Sequence, residues 1–212
     1  MRMKKKPWGE VLLNENKDLV MLPEDLDKEI FINFINHDEL VLEIGSGKGD
    51  FIISMAKKYP SIHFLAIEMQ SMALAYAVRK MQDEEIENVL FINADATYLF
   101  EKFGDKKFKT IFLNHSDPWP KARHHKRRLT YPTMLDKYSK ILEKDGQLIF
   151  KTDNDVLFVD SVEYINESPF VIEEITYDYD GNDSYDATTE YETRFRNIGT
   201  PIKRFKAKLK GE

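Results

Sequence analysis

Cysteine is absent from the 212-residue chain, which excludes disulfide staples and thiolate zinc sites. No apolar run approaches the roughly 18 residues of a membrane span, and Pro7 and Gly9 interrupt the opening segment before a signal-peptide core could form. Internal repeats, low-complexity tracts and an interdomain linker are missing too. Charge of one sign is scarcely in excess: 31 Lys and Arg stand against 37 Asp and Glu, a net −6. That balance argues mildly against a coat of basic residues. These absences predict a soluble, cytoplasmic chain, one domain over 1–212, with no membrane or metal partner. An apolar share of 42% suffices for one core.

Present instead is a repeated exchange of apolar runs and amphipathic stretches. Leu26, Ile30, Phe31, Phe34 and Ile35 recur at helical spacing, so a helix is predicted over 24–36, after a basic extension over 1–22. Leu40 to Ile44 reads as a buried strand, Gly45-Ser-Gly-Lys-Gly49 as a turn, and Phe51, Ile52, Met55 and Ala56 as the helix that follows. The unit recurs as strand 62–67 with helix 71–82, and as strand 89–92 with a short helix near 97–103. Strand 110–113 leads into a loop rich in Pro and basic residues. A helix around Met134 to Leu142, strand 147–150, helix 155–167 and strand 170–177 complete the series. Phe205, Ala207 and Leu209 alternate with lysines, a period-two signal for a half-exposed final strand. Strands apolar on both faces and alternating with helices indicate an α/β fold: a doubly wound, mostly parallel sheet flanked by helices, with an antiparallel C-terminal strand. The acidic loop 178–188 is the one candidate mobile segment.

The glycine turn fits neither common phosphate motif. A dinucleotide fingerprint needs glycine at position 50, which is Asp50, and a P-loop needs Ser or Thr where Gly49 stands. Glu43, Glu68 and Asp95 sit in or just after three successive strands. Such acids can accept from a ribose and an adenine. Either Glu68 or Asp95 taken singly could equally cap the next helix. As a set with Gly45, Gly47 and Gly49, they suit a nucleoside that carries cations and no phosphate, such as S-adenosylmethionine. Adjacent His124 and His125 lack metal-ligand spacing.

Glu43-Ile-Gly-Ser-Gly-Lys-Gly49 resembles the first motif of class I methyltransferases. The block Leu113-Asn-His-Ser-Asp-Pro-Trp-Pro-Lys-Ala-Arg-His-His-Lys-Arg-Arg-Leu-Thr130, with Phe150-Lys-Thr-Asp-Asn154 and Thr189-Glu-Tyr-Glu192, resembles the bacterial tRNA (guanine-N7)-methyltransferases. The likeness runs essentially end to end; His115 departs from it, standing where the family usually has Phe. The resemblance implies transfer of a methyl group from S-adenosylmethionine to N7 of a guanosine in tRNA, at nucleotide 46 of the variable loop. It implies that Glu43, Glu68, Asp95 and Asp117 contact the donor. Lys121, Asp153, Thr189, Glu190, Tyr191 and Glu192 would contact the substrate, and Arg123, His124, His125, Lys126, Arg127 and Arg128 the RNA. Monomer and homodimer both suit the family.

The chemistry is consistent with those residues. Guanine N7 carries an in-plane lone pair, so no proton need leave before it attacks, and positioning matters more than a strong base. Methylation leaves positive charge on the purine, which makes Asp117 the candidate catalytic residue. Guanine presents N1–H and N2–H₂ donors, for which Asp153, Glu190 and Glu192 are candidate acceptors. Trp119 suits core packing as well as base stacking. Asp153 competes with Asn154 for a helix-cap role, and Glu190 and Glu192 could simply pair with Arg194 and Arg196. Lys121, Arg123, Lys126, Arg127 and Arg128 put five cations within eight residues. Further clusters are Arg2 with Lys4 to Lys6, and Lys203, Arg204, Lys206, Lys208 and Lys210; such clustering is the footprint of a phosphate-rich partner, although the two terminal clusters suit a solvated face equally well. Two alternatives remain. Asp-Pro-Trp-Pro is a cousin of the Asn/Asp-Pro-Pro-aromatic loop with which other class I enzymes orient an exocyclic amino group through a side chain and a backbone carbonyl. The other is an RNA-binding protein on a non-catalytic scaffold of this kind.

Overall fold

Pro7 opens a helix instead of breaking one. In the computed structural model, which describes residues 4–211 and so leaves Arg2 outside, α1 spans Pro7–Glu15. Proline is tolerated there because the first helical N–H has no partner to lose. The helix lies along α4 (Ser71–Asp83): the Arg79 guanidinium sits 4.0 Å over the Trp8 ring, and Tyr76 meets that ring edge-on at 5.0 Å. Part of the expected basic extension is therefore packed helix.

The chain divides into two units, Met1–Lys106 and Lys107–Glu212. In the first, β1 (Val20–Met21), β2 (Leu40–Ile44), β3 (His63–Ile67) and β4 (Val89–Ile92) run in the spatial order β1-β4-β3-β2. All three pairings are parallel. Helices α2 (Glu29–Ile35) and α3 (Asp50–Lys58) join α1 and α4. The strands are buried on both faces, which is why they read as continuous apolar runs. Two local differences have clear causes. The helix expected over 24–36 is a 3-10 turn, Pro23–Asp25, followed by α2, because the Asp25 carboxylate accepts the Leu22 N–H and pairs with Lys28. The helix near 97–103 is two 3-10 turns, Ala96–Tyr98 and Phe100–Phe103.

The second unit holds β5 (Phe108–Asn114), α5 (Pro132–Ile141), β6 (Leu142–Thr152), α6 (Asp155–Asn166), β7 (Phe170–Thr176), α7 (Glu190–Asn197) and β8 (Lys203–Leu209). Its strands lie in the order β5-β6-β8-β7, with β5 and β6 parallel and β8 antiparallel to both neighbours. The mostly parallel α/β architecture with an antiparallel last strand is thus the one the apolar pattern indicates.

The C-terminal basic cluster does not form a free cationic surface. Lys203 and Arg204 are buried, and Arg204 pairs with Glu174 and Asp183 at 3.0 and 2.5 Å. Lys206 reaches the same two carboxylates, Lys208 pairs with Glu173, and Lys210 donates to the Ser168 carbonyl. The positive charges match acids on β7 and in the acidic loop. That loop is correspondingly tied down: Tyr179 N–H donates to the Ile202 carbonyl at 2.7 Å, and Asp186 accepts from Lys151 at 2.8 Å.

Candidate functional site

In the first unit, a rim forms where β2, β3 and β4 end in register. The Gly45 N–H donates to the Ile67 carbonyl at 2.8 Å, and the Glu68 N–H to the Ile92 carbonyl at 3.0 Å. The turn after β2 uses left-handed backbone at Gly45, Gly47 and Gly49, with φ of 82°, 56° and 78°. Gly49 begins α3 against α4, where a Cβ would stand 2.8 Å from the Ala77 Cβ. Gly47 faces open space, and its N–H donates to Glu68 Oε2 at 2.9 Å.

Glu68 Oε1 accepts the Gln70 N–H at 2.7 Å, so both carboxylate oxygens are oriented by backbone. Asn93 braces the rim: its amide donates to the Glu68 carbonyl at 2.8 Å and accepts from Ser71. No motif marks this amide, which directly follows β4. Asp95 is exposed and caps the turn Ala96–Tyr98 through the Thr97 N–H at 2.9 Å. Glu43 lies within β2 and is only 2% exposed, an acid in an otherwise apolar strand. The Ser46 hydroxyl is buried with no hydrogen-bond partner among the described residues. Open space over Gly47, a preset carboxylate and an unmatched hydroxyl fit a hydroxyl-bearing nucleoside such as S-adenosylmethionine.

In the second unit, β5 runs into the loop from His115 to Lys121. His115 and Trp119 have φ of 47° and 42°, backbone that bulky L-residues seldom adopt. Between them Asp117 is exposed to solvent. Trp119 is not a core residue. The Arg127 guanidinium covers its ring at 4.9 Å and His124 meets it edge-on at 5.9 Å. Lys121, Arg123, Lys126 and Arg127 are exposed, and His124 and His125 are half-buried, on and beside the 3-10 helix Ala122–Arg127.

Arg128 corrects the expectation of an RNA contact. It is 1% exposed and committed to protein: Nε donates to the Pro118 carbonyl at 2.8 Å, and Nη1 to Asp160 at 2.5 Å. Nη2 lies 3.0 Å from His125 Nε2.

Asn154 takes the N-cap of α6, accepting the Leu157 N–H at 2.8 Å, and so leaves Asp153 available. Asp153 instead meets His115 Nδ1 at 3.3 Å. Burial alone would raise its carboxyl, but the His115 hydrogen bond, its own backbone N–H and the charges of His115 and Lys203 outweigh that and hold it below the ordinary value. His115 also lies near parallel to Tyr191, with ring centroids 6.1 Å apart. Asp153 and Tyr191 are therefore brought to one histidine.

Thr189 caps α7 through the Glu192 N–H at 2.8 Å, and Glu190 and Tyr191 are exposed. Glu192 is buried in ion pairs with Lys151 at 3.1 Å and Arg196 at 2.8 Å. Its carboxyl, which burial would raise, is held low by Lys151 and Arg196. Lys151 also pairs with Asp186, and the Lys151, Arg196 and Arg204 cations surround the Tyr179 ring. A lysine just past the apolar run 147–150 was the available signal for this cluster.

Comparison with known proteins extends the picture. Residues 37–205 match a family model described as "Putative methyltransferase". A tRNA (guanine-N(7)-)-methyltransferase of Oceanobacillus iheyensis is 42% identical over 209 residues, spanning 98% of each chain. One from Bacillus subtilis is 40% identical, spanning 96% of this chain and 97% of that protein. Among solved structures, a 16S rRNA methyltransferase, KamB, shares the fold with a TM-score of 0.66 at 12% identity, over 87% of this chain and 94% of that one.

Proposed function

Because the chain belongs to the tRNA (guanine-N(7)-)-methyltransferase family, we propose that it methylates N7 of a guanosine in tRNA, at nucleotide 46 of the variable loop. S-adenosylmethionine supplies the electrophilic methyl of a sulfonium. Glu68, its carboxylate oriented by the Gly47 and Gln70 N–H groups, accepts the ribose hydroxyls, Asp95 accepts from the adenine amino group, and Glu43 offsets the donor's positive charge. Glycines 45, 47 and 49 let the backbone pass close beneath. Asp117 stabilises the positive charge that develops on the purine as the N7–C bond forms and the C–S bond breaks. No proton is removed, and no residue need act as a strong base.

Asp153 and Glu190 accept from the Watson–Crick edge of guanine, and Tyr191 offers a ring face beside them. Thr189 and Glu192 set the start of α7, which carries Glu190 and Tyr191. Lys121, Arg123, Lys126 and Arg127 meet RNA phosphates, with His124 and His125 beside them. The reaction is assigned to the cytoplasm, in a monomer or homodimer.

The observation that carries N7 over an exocyclic amine is the likeness, over nearly the whole chain, to tRNA (guanine-N(7)-)-methyltransferases at 42% and 40% identity. The test is incubation with methyl-labelled donor and unmodified tRNA, followed by digestion to nucleosides. Label in 7-methylguanosine is expected, and it should vanish when nucleotide 46 is changed. Label in N6-methyladenosine would overturn the reading, as would tRNA binding with no transfer.

A further inference from the structure

We propose that Arg128 is a positioning residue for methyl transfer: its buried guanidinium holds the Pro118 carbonyl and thereby fixes the backbone that displays Asp117. The inference rests on the role given to Asp117 above and extends it to a residue that touches neither donor nor base.

Asp117 is solvent-exposed and lies between two residues at positive φ, His115 and Trp119. Such backbone is strained and persists only where surrounding contacts over-determine it. The Arg128 Nε–H to Pro118 carbonyl bond, at 2.8 Å, is the hydrogen bond that anchors the centre of this segment. Arg128 is anchored in turn to α6, through Asp160 at 2.5 Å and the Tyr164 hydroxyl at 3.5 Å. Beside it, the Thr130 hydroxyl meets the Ser161 hydroxyl at 2.6 Å, and Tyr131 packs edge-on against Tyr164. The planar fork of arginine addresses a carbonyl with one nitrogen and a carboxylate with another, which a lysine cannot do. Burial also separates Arg128 from its exposed neighbours Lys126 and Arg127. Those side chains are free to meet phosphate; this one is not.

The two roles differ in their salt dependence. A phosphate ligand, when removed, lowers the salt slope of tRNA binding by about one; a positioning residue leaves it alone. The protein and its Arg128→Lys, Arg128→Gln, Asp160→Asn, Asp160→Ala, Arg127→Ala and Asp117→Ala variants are compared in tRNA binding across salt, in kcat and KM, and in thermal melts. Arg128→Lys should lower kcat about tenfold or more, with KM for tRNA within about twofold, and Arg128→Gln, which removes the charge, should leave the salt slope unchanged. Arg127→Ala should flatten the slope. Asp160→Asn, which keeps an acceptor for Arg128, should retain more of kcat than Asp160→Ala, and it carries the test if Arg128→Lys does not fold.

A flattened slope in Arg128→Gln would make Arg128 an RNA ligand and overturn the proposal. So would wild-type kcat in folded Arg128→Lys, or equal kcat in the two Asp160 variants. Asp117→Ala is the separate control: full transfer by that variant would remove the reading of Asp117 itself, whatever Arg128 does.

Discussion

His115 Nδ1 lies 3.3 Å from Asp153 Oδ1, joining a buried imidazole to a candidate reader of the guanine edge. The imidazole is buried, and its Nε2 has no hydrogen-bond partner among the described residues. His115→Phe keeps a ring beside Tyr191 and Phe195 but removes the hydrogen bond and charge that hold the Asp153 carboxyl down. That carboxyl then rises, so at a given acid pH less of it is ionised. The acid limb of kcat/KM should move to higher pH in the variant. Profiles recorded from about pH 4 to 8 that superimpose would separate Asp153 from His115.

Lys151→Met should be severe. The side chain is fully buried between Asp186 and Glu192, and its loss leaves two carboxylates without their shared cation. Breaking such a buried cluster costs about 3–5 kcal/mol. Urea denaturation of the variant should show that loss, with the 178–188 loop becoming protease-sensitive before the rest of the chain.

Asp183 gives the second unit an acid dependence. Burial would raise its carboxyl, but hydrogen bonds from Lys206, the Tyr185 N–H and Arg204 lower it from 3.8 to about 2. A carboxyl depressed by folding contributes stability that is fully present above the unfolded value and is lost as pH falls through the folded one. Between about pH 5 and pH 2 the wild type should therefore lose about 1–2 kcal/mol more than Asp183→Asn. Denaturant midpoints at the two pH values measure the difference.

Gly49→Ala should cost about 2–3 kcal/mol, combining a left-handed φ with a Cβ forced against α4. Thermal melts report the stability loss. Calorimetry with S-adenosylhomocysteine reports whether the turn that precedes α3 still binds a nucleoside.

The strands and most helices were legible because burial on both faces writes itself as unbroken apolar runs, as in Leu40 to Ile44 and Val89 to Ile92. Helix α1 was hidden by Pro7 and Gly9, residues that read as breakers where α1 begins. Strand β1 was hidden by its length of two residues. The nucleoside rim was legible in its glycines and acids, although Asn93, which braces it, carried no motif. Arg128 shows the limit of charge counting: five cations in one segment look alike until tertiary contacts bury one of them. The same limit applies to β8, whose cations lie opposite carboxylates that are remote in sequence.

That last pairing fixes an alignment. Lys206 sits opposite Glu174 across a bulged stretch of β7, while Phe205 and Ala207 face the interior. Sliding β8 by one residue would drive Lys206 inward and turn Phe205 out; sliding it by two would keep the faces but pull Arg204 and Lys206 away from Glu174 and Asp183. The closing strand of the chain is thus keyed to a single docking position, and mispaired arrangements of the second unit carry unmatched charge that drives them apart.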